Sequence, residues 1–271
     1  MAKNNPSDIL TGDWNPVVGC QRYSAGCRSC WWIDGIMPWQ QRLGNLPASL
    51  RENESLTMEN VTVVKPDGKK RKGGPQMVNR LTLDSLKGKS GIVGVVQHGD
   101  LFWDKTSDEV IHRVLDIVDQ ASQTRARVQD GTKYVLWSKR AERMARIMNE
   151  RYPGGVPRAI ACGVSIENQR LADERLPHLT SIKGWKFVMI EPMLGPVNLA
   201  PWIDKVDWVV AGSETGHDAR ELDLDWLREV RDIATKNKMP FFLKQVGTSH
   251  KNSNRQLDGR SWDEFPEGFR K

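Results

Sequence analysis

Between residues 91 and 245 short apolar runs alternate with longer stretches of helical periodicity, and this alternation constrains the fold more than any other feature of the chain. A strand buried on both faces reads as an unbroken apolar run, whereas a helix packed on one side repeats its apolar positions at i, i+3 and i+4. Runs 92–97, 134–137, 159–164, 186–190, 208–211 and 241–243 are of the first kind. Stretches 107–121, 141–150, 168–176 and 225–236 are of the second; in 107–121 a stripe of Val110, Val114, Leu115, Ile117 and Val118 follows a capping Thr106 or Ser107. Strands alternating with helices predict βα units and a parallel sheet. With a first strand just before the cysteines of 20–30, the count approaches that of a closed barrel. The predicted class is α/β: a partial or full (β/α) TIM-like barrel over 1–247, with a basic insertion at about 61–90 and a C-terminal extension over 248–271. A chain of 271 residues has room for it.

Polar or glycine residues follow nearly every predicted strand: Asp100; Ser138, Lys139 and Arg140; Ser165 and Glu167; Glu191; Gly212, Ser213 and Glu214; Lys244 and Gln245. Parallel barrels gather the residues at the carboxyl ends of their strands on one face, where their active sites lie. Ser165 or Ser213 alone is as readily a helix cap, but the set as a whole predicts a site.

Three of the four cysteines, Cys20, Cys27 and Cys30, are spaced C-x6-C-x2-C and would join that face from the loop after the first strand. Thiolates are soft ligands for zinc and for iron–sulfur clusters. Structural zinc is usually closed by four protein ligands, and no second C-x2-C or H-x3-H follows here. A distant ligand could still complete a zinc site; the missing local fourth ligand favours a cluster with one iron left open to a chelating molecule. Cys162, in an apolar run, is expected in the core.

The net charge of +6 is concentrated. Residues 61–90 carry eight basic side chains (Lys65, Lys69, Lys70, Arg71, Lys72, Arg80, Lys87 and Lys89) against Asp67 and Asp84, and the rest of the chain is balanced. Such a surplus suits a polyanion partner, although Pro66, Asp67 and Gly68 followed by 69–74 also read as a solvated hairpin tip. Trp31, Trp32 and Trp39 follow the cysteines, placed to shield a cluster, stack on a base or pack a core. The polar tail is expected to wrap the surface on Trp262 and Phe265. No apolar run is long enough to span a membrane, and residues 1–10 lack an apolar leader, so no membrane partner and a reducing cytoplasm are expected.

A cysteine triad on the first βα loop of a barrel, facing strand-end polar groups, resembles the radical S-adenosylmethionine superfamily. Seven ordered segments bring it closer to a radical-SAM-like family common in bacteriophages: WNPVVGC (14–20), GDLF (99–102), SKRAERM (138–144), GVSIE (163–167), EPMLGP (191–196), GSETG (212–216) and FFLKQ (241–245). The first cysteine gap is longer than the superfamily's usual C-x3-C-x2-C, and Trp31, Trp32, Ile33 and Asp34 stand where the phage family has an aromatic-Ala-Glu. The resemblance implies that Cys20, Cys27 and Cys30 hold three irons of a 4Fe–4S cluster. Its fourth iron would bind S-adenosyl-L-methionine, which a reductant such as flavodoxin or ferredoxin lets it cleave to a 5′-deoxyadenosyl radical. It further implies that Asp100, with Ser138 beside it, accepts from the methionyl amine, that Ser165 and Glu167 address ribose or carboxylate, and that Gly212, Ser213 and Glu214 approach adenine or substrate. Lys139, Arg140, Glu191, Lys244 and Gln245 would face the substrate, with Lys244 a proton donor or the ion-pair partner of Glu191.

The phage setting and the basic segment together imply DNA as substrate, in a host cytoplasm. Related phage enzymes act in thymidine hypermodification, where an isomerase rearranges an amino acid carried on the thymine methyl carbon. Two other functions fit the sequence: radical chemistry on a peptide or small metabolite, and a non-catalytic, zinc-stabilised nucleic-acid-binding protein whose fourth ligand is a histidine such as His98.

Overall fold

The computed structural model describes residues 9–64, 75–124, 131–216, 218–247 and 254–269. Seven strands form one parallel sheet: β1 (Gly12–Trp14), β2 (Ile92–Val95), β3 (Lys133–Ser138), β4 (Ile160–Ser165), β5 (Trp185–Ile190), β6 (Trp208–Ala211) and β7 (Phe241–Leu243). Their order across the sheet is their order along the chain. A doubly wound sheet would reverse direction at a switch point; uninterrupted order with right-handed crossovers winds toward a barrel.

Alternate residues of each strand serve two different cores. Val93, Leu136, Val164, Ile190, Val209 and Leu243 pack in one large cluster with residues from α2 (Asp108–Ser122), α3 (Ala141–Arg151), α4 (Gln169–Ser181) and α5 (Leu224–Lys236); α1 (Met37–Arg42) belongs elsewhere. Ile92, Val135, Phe187, Trp208, Val210 and Phe242 point the other way, into a second cluster that contains no residue of these helices. All four long helices therefore cover one face, and the curled sheet closes around an aromatic interior on the other. Each such buried ring or branched chain contributes about 1.5–3 kcal/mol.

The barrel is partial: β1 and β7 are edges. The C-terminal segment covers the second edge, with the Leu243 N–H donating to the Trp262 carbonyl at 2.9 Å and the Glu264 N–H to the Phe241 carbonyl at 3.2 Å. Most of its residues are exposed, and Trp262 and Phe265 anchor it as expected, with Phe269 as a further anchor set into the interior. Covering an exposed strand edge removes a template for aggregation.

Between β1 and β2 the chain builds a side lobe. Val17–Val18 pairs antiparallel with Leu56–Thr57, and Trp32, Ile33, Met37, Leu46, Leu50 and Met58 share a small core there. Val61–Val64 pairs antiparallel with Pro75–Val78, which are the arms of the predicted hairpin; its basic tip, Lys65 with Lys69, Lys70, Arg71 and Lys72, lies outside the described residues. Ser107 caps α2 as expected. Helix α4 continues through Pro177 to Ser181, beyond the predicted end at 176, because Leu179 and the following Ile182 bury themselves in the main core. No helix among the described residues is long and apolar enough to cross a membrane.

Candidate functional site

The cysteine loop leaves β1 over the carboxyl end of the sheet, held backbone to backbone. The Gly19 N–H donates to the His98 carbonyl at 2.9 Å, and the Asp100 N–H reaches the Gly19 carbonyl at 3.4 Å. Gly19 has φ +115°, and a Cβ there would collide with the Glu54 carbonyl; one on Gly99 would strike the Gly19 carbonyl. Glycine at both positions lets Cys20 stand directly above the end of β2. Cys27 closes a short 3-10 turn, Ala25–Cys27, and Cys30 precedes the π-helical turn Trp31–Ile36.

Side chains from the strand ends fasten the rest of the loop. Glu167, just past β4 and fully buried, accepts from the Ser24 hydroxyl and from the Gly26 N–H at 3.0 Å. Its other partners are cations, the Lys139 ammonium at 2.6 Å and Arg175 Nη1 at 3.9 Å. A Cβ on Gly26 would stand 2.6 Å from the Glu167 carboxyl carbon. Burial pushes the Glu167 carboxyl up, but Lys139, Ser24 and the Gly26 amide outweigh it and hold the group below the usual carboxylate range. After β6, Glu214 grips Arg220 through two side-chain bonds of 2.8 and 2.5 Å, and Arg220 donates to the Ala25 carbonyl at 2.9 Å. From within the loop, Arg22 donates to the carbonyls of Cys27 and Arg28, each at 2.6 Å, while paired with Asp34.

Asp100 lies beneath Cys20. It accepts from the Ser138 hydroxyl at 2.7 Å, the Phe102 N–H at 3.0 Å and Arg140 Nη1 at 2.9 Å. Arg140 in turn donates to Cys20 Sγ at 3.7 Å and to the Gln21 carbonyl at 3.2 Å. Both oxygens of Asp100 are thus engaged within the protein, and its reach toward the thiols passes through Arg140. Ser165 is buried and uses its carbonyl to accept from Arg175 at 2.6 Å.

Burial pushes the Cys20 thiol up to about 12, with Asp100 adding and Arg140 opposing. Cys30 is raised by burial too, opposed by the backbone N–H groups of Ile33 and Trp32. Cys27 and Cys30 both act on Cys20, so the three sulfurs lie within electrostatic reach of one another. Among the described residues no three His, Cys, Asp or Glu side chains converge where one metal ion could sit. A cluster makes a different demand, because its irons occupy separate corners and each thiolate need reach only its own. Three thiols on one loop, an arginine N–H on one of them, and buried nitrogens at Arg140 Nε, Arg175 Nε and Arg175 Nη2 that have no partner among the described residues fit an anionic cluster.

His98 does not face the thiols. Its ring stacks on Trp32 at 4.6 Å with Nε2 3.6 Å from Asp13, and burial, with Arg80 adding and Asp13 opposing, holds its pKa below the usual value. Trp32 is core, whereas Trp31 and Trp39 are about half exposed. Cys162 is buried in the main core, as expected, and burial raises its thiol to about 12.

A second constellation crowns the last three strands. Glu191 accepts from Lys244 Nζ and from Gln245 Nε2, each at 2.6 Å, and Gln245 also donates to the Ser213 carbonyl at 2.8 Å. Gly212 admits Gln245, whose Nε2 would lie 3.0 Å from a Cβ there. None of these bonds reaches the cysteine loop. A groove of about 500 Å³ beside the side lobe, lined by Leu50, Asn53, Glu54 and Lys105 among others, contains none of the candidate residues. Sequence reading missed Ser24, Arg175, Arg220 and Tyr23, whose ring lies against the guanidinium groups of Arg140 and Arg175. Arg175 had a signal, a charged residue between Leu171 and Leu179 on the buried stripe of α4; the other three had none.

The fold and site define an α/β protein with a partial parallel barrel that carries a three-cysteine loop across its strand ends. Residues 9–266 match the model of a family described as protein of unknown function, DUF5131, and the chain belongs to that family. No curated protein and no solved structure matches it.

Proposed function

We propose that the chain is a radical S-adenosylmethionine enzyme, with a barrel of that type, whose 4Fe–4S cluster is held by Cys20, Cys27 and Cys30. The observation that carries this reading is the attachment of the three-thiol loop, by Arg140, Glu167 and Arg220, to the carboxyl ends of three different parallel strands. When bound, the cluster with S-adenosylmethionine would supply one-electron cleavage of the sulfonium to a 5′-deoxyadenosyl radical, given an electron from a flavodoxin or ferredoxin. The protein's own part is positional. Asp100 and Ser138 orient Arg140 against Cys20, and Lys139 and Glu167 fasten the loop. Ser165, Gly212, Ser213 and Glu214 line the cofactor side, and Glu191, Lys244 and Gln245, free of the loop, receive the substrate.

The substrate class is DNA carrying an amino-acid-modified thymine, and the reaction an isomerisation. The basic surplus of 61–90 supports a polyanion, and the half-exposed rings of Tyr23 and Trp31 near the loop offer stacking faces for a flipped base. Replacing Lys69, Lys70, Arg71 and Lys72 by Ala should weaken DNA binding and flatten its salt dependence; an unchanged slope would return that segment to a solvated turn.

Anaerobic reconstitution tests the core of the reading. Brown protein with iron and sulfide, bleached by dithionite and forming 5′-deoxyadenosine, is expected; colourless protein with stoichiometric zinc would replace it with the zinc-stabilised binding protein. On modified phage DNA, the released nucleoside should change retention and fragmentation, since isomerisation leaves its mass unaltered. 5′-Deoxyadenosine without that change would reject DNA in favour of a peptide or small metabolite.

A further inference from the structure

Two arginines stand buried beneath the cysteine loop with donor capacity that the chain does not use. Arg175 is 2% exposed, and its guanidinium makes one hydrogen bond, from Nη1 to the Ser165 carbonyl at 2.6 Å. Its Nε and Nη2 have no partner among the described residues. Arg140 is 7% exposed, and its Nε is likewise without a partner among them. Both guanidinium groups lie over the ring of Tyr23, at 4.6 Å for Arg140 and 5.4 Å for Arg175. A buried guanidinium is costly unless it is paired, and buried donors are rarely left unmade without a reason.

The charges leave one cation over. Arg140 is answered by Asp100 at 2.9 Å, and Lys139 takes Glu167 at 2.6 Å. Arg175 has a 3.9 Å share in the Glu167 carboxylate that Lys139 already holds, and Glu174, which also acts on it, is engaged by Arg170 at 3.1 Å. Three neutral thiols do nothing to balance it. Three thiolates on a dipositive oxidised cluster carry one net negative charge, and so do three thiolates on one zinc ion. The excess cation therefore matches the metal-loaded loop and not the metal-free one. The contacts run toward the sulfurs: Arg140 Nη1 is 3.7 Å from Cys20 Sγ, and the hydroxyl of Ser24, which bonds to Glu167, is 3.9 Å from Cys27 Sγ.

We propose that Arg175, seconded by Arg140, is the fixed counter-charge of the metal–thiolate group on the cysteine loop, raising both its affinity for metal and its reduction potential. The inference rests on the metal-holding cysteine loop proposed above, but not on whether that metal group is a cluster or zinc. Cations near a cluster and hydrogen bonds to its sulfurs favour the more negative, reduced state. Substrate would meet the loop from the side of Glu191 and Lys244, leaving Arg175 as a tuning residue beneath it.

The test compares the full-length wild type with Arg175→Gln, which can still donate to Ser165 but has no charge, and Arg175→Lys, which keeps the charge. Anaerobically reconstituted proteins are titrated to midpoint potential by EPR. In parallel, metal-free proteins are titrated with zinc against a chromophoric chelator. Arg175→Gln should shift the potential to more negative values and weaken zinc binding by roughly tenfold or more, and Arg175→Lys should restore most of both. Equal potentials and equal zinc affinities in wild type and Arg175→Gln would overturn the proposal and leave Arg175 a strut between α4 and the end of β4. Should Arg175→Gln not fold, Arg140→Gln, which removes the seconding charge but can still donate to Asp100 or Gln21, is measured instead; unchanged potential and zinc affinity there would count equally against it. A wild type that takes up zinc but no cluster would end the radical reading, and its zinc affinities would still decide the counter-charge.

Discussion

Gly163 is the clearest case of one residue deciding the barrel interior. A Cβ at this position of β4 would overlap the Phe187 ring from the neighbouring strand, and that ring in turn packs against Trp137 and Trp208. Gly163→Ala should cost about 1–3 kcal/mol in chemical denaturation, and Phe187→Leu in the same chain should recover part of it; additive losses would mean that the two do not compete for space. Gly26 and Glu167 form a second pair of this kind, joining the loop to the strand ends. Glu167→Gln leaves Lys139 and Arg175 without their carboxylate and should lower stability by about 3 kcal/mol. Gly26→Ala should instead separate the loop from β4 with little effect on the barrel. In both, Cys27 of metal-free protein should be alkylated faster than in wild type, as read by peptide mass spectrometry. Unchanged rates would show that the clamp does not shape the loop.

At the scale of elements, α2 and α3 are tied by Asp108, which accepts from Arg143 at 2.5 Å and Arg146 at 2.8 Å. Hydrogen bonds from Arg143 and then Arg146 hold its carboxyl below the usual 3.8. A depressed folded-state value means that this stabilisation is present above the unfolded value and is lost as pH falls through the folded one. Because the group is largely solvent-screened, Asp108→Asn should cost less than about 1 kcal/mol at neutral pH. Thermal melts of the variant and wild type should converge as pH drops below 3.8; a gap that persists in acid would contradict the ion pair. The elements themselves were legible in the sequence, since strands buried on both faces and helices with a single apolar stripe leave distinct periods. Their ends were less so. The stretch expected to end at 176 runs on through Pro177, because the contacts of Leu179 and Ile182 outweigh the one hydrogen bond the proline removes.

For the whole molecule, the C-terminal segment covers the free edge of β7. Truncation after residue 253 removes Trp262, Phe265 and Phe269 and bares the outer edge of β7, so the shortened chain should be strongly destabilised and prone to aggregate. Light scattering and denaturation of the purified protein would check this, and a soluble, equally stable product would show the tail to be dispensable. Within the full chain, Phe269→Ala alone should cost about 3 kcal/mol.

The linear chain by itself determined the parallel α/β architecture, the strand-end positions of Asp100, Glu167, Glu191 and Lys244, and the three-cysteine loop beside them, because periodicity and spacing are local properties. Only the tertiary structure decided which of those groups meet. It turned Asp100 onto Arg140 and Glu167 onto Ser24 and Gly26, brought Arg175 and Arg220 to the loop from far along the chain, and set Phe269 of the tail into the interior. These outcomes depend on contacts between residues tens to hundreds of positions apart, where competition for buried partners and space, rather than any local preference, settles the arrangement.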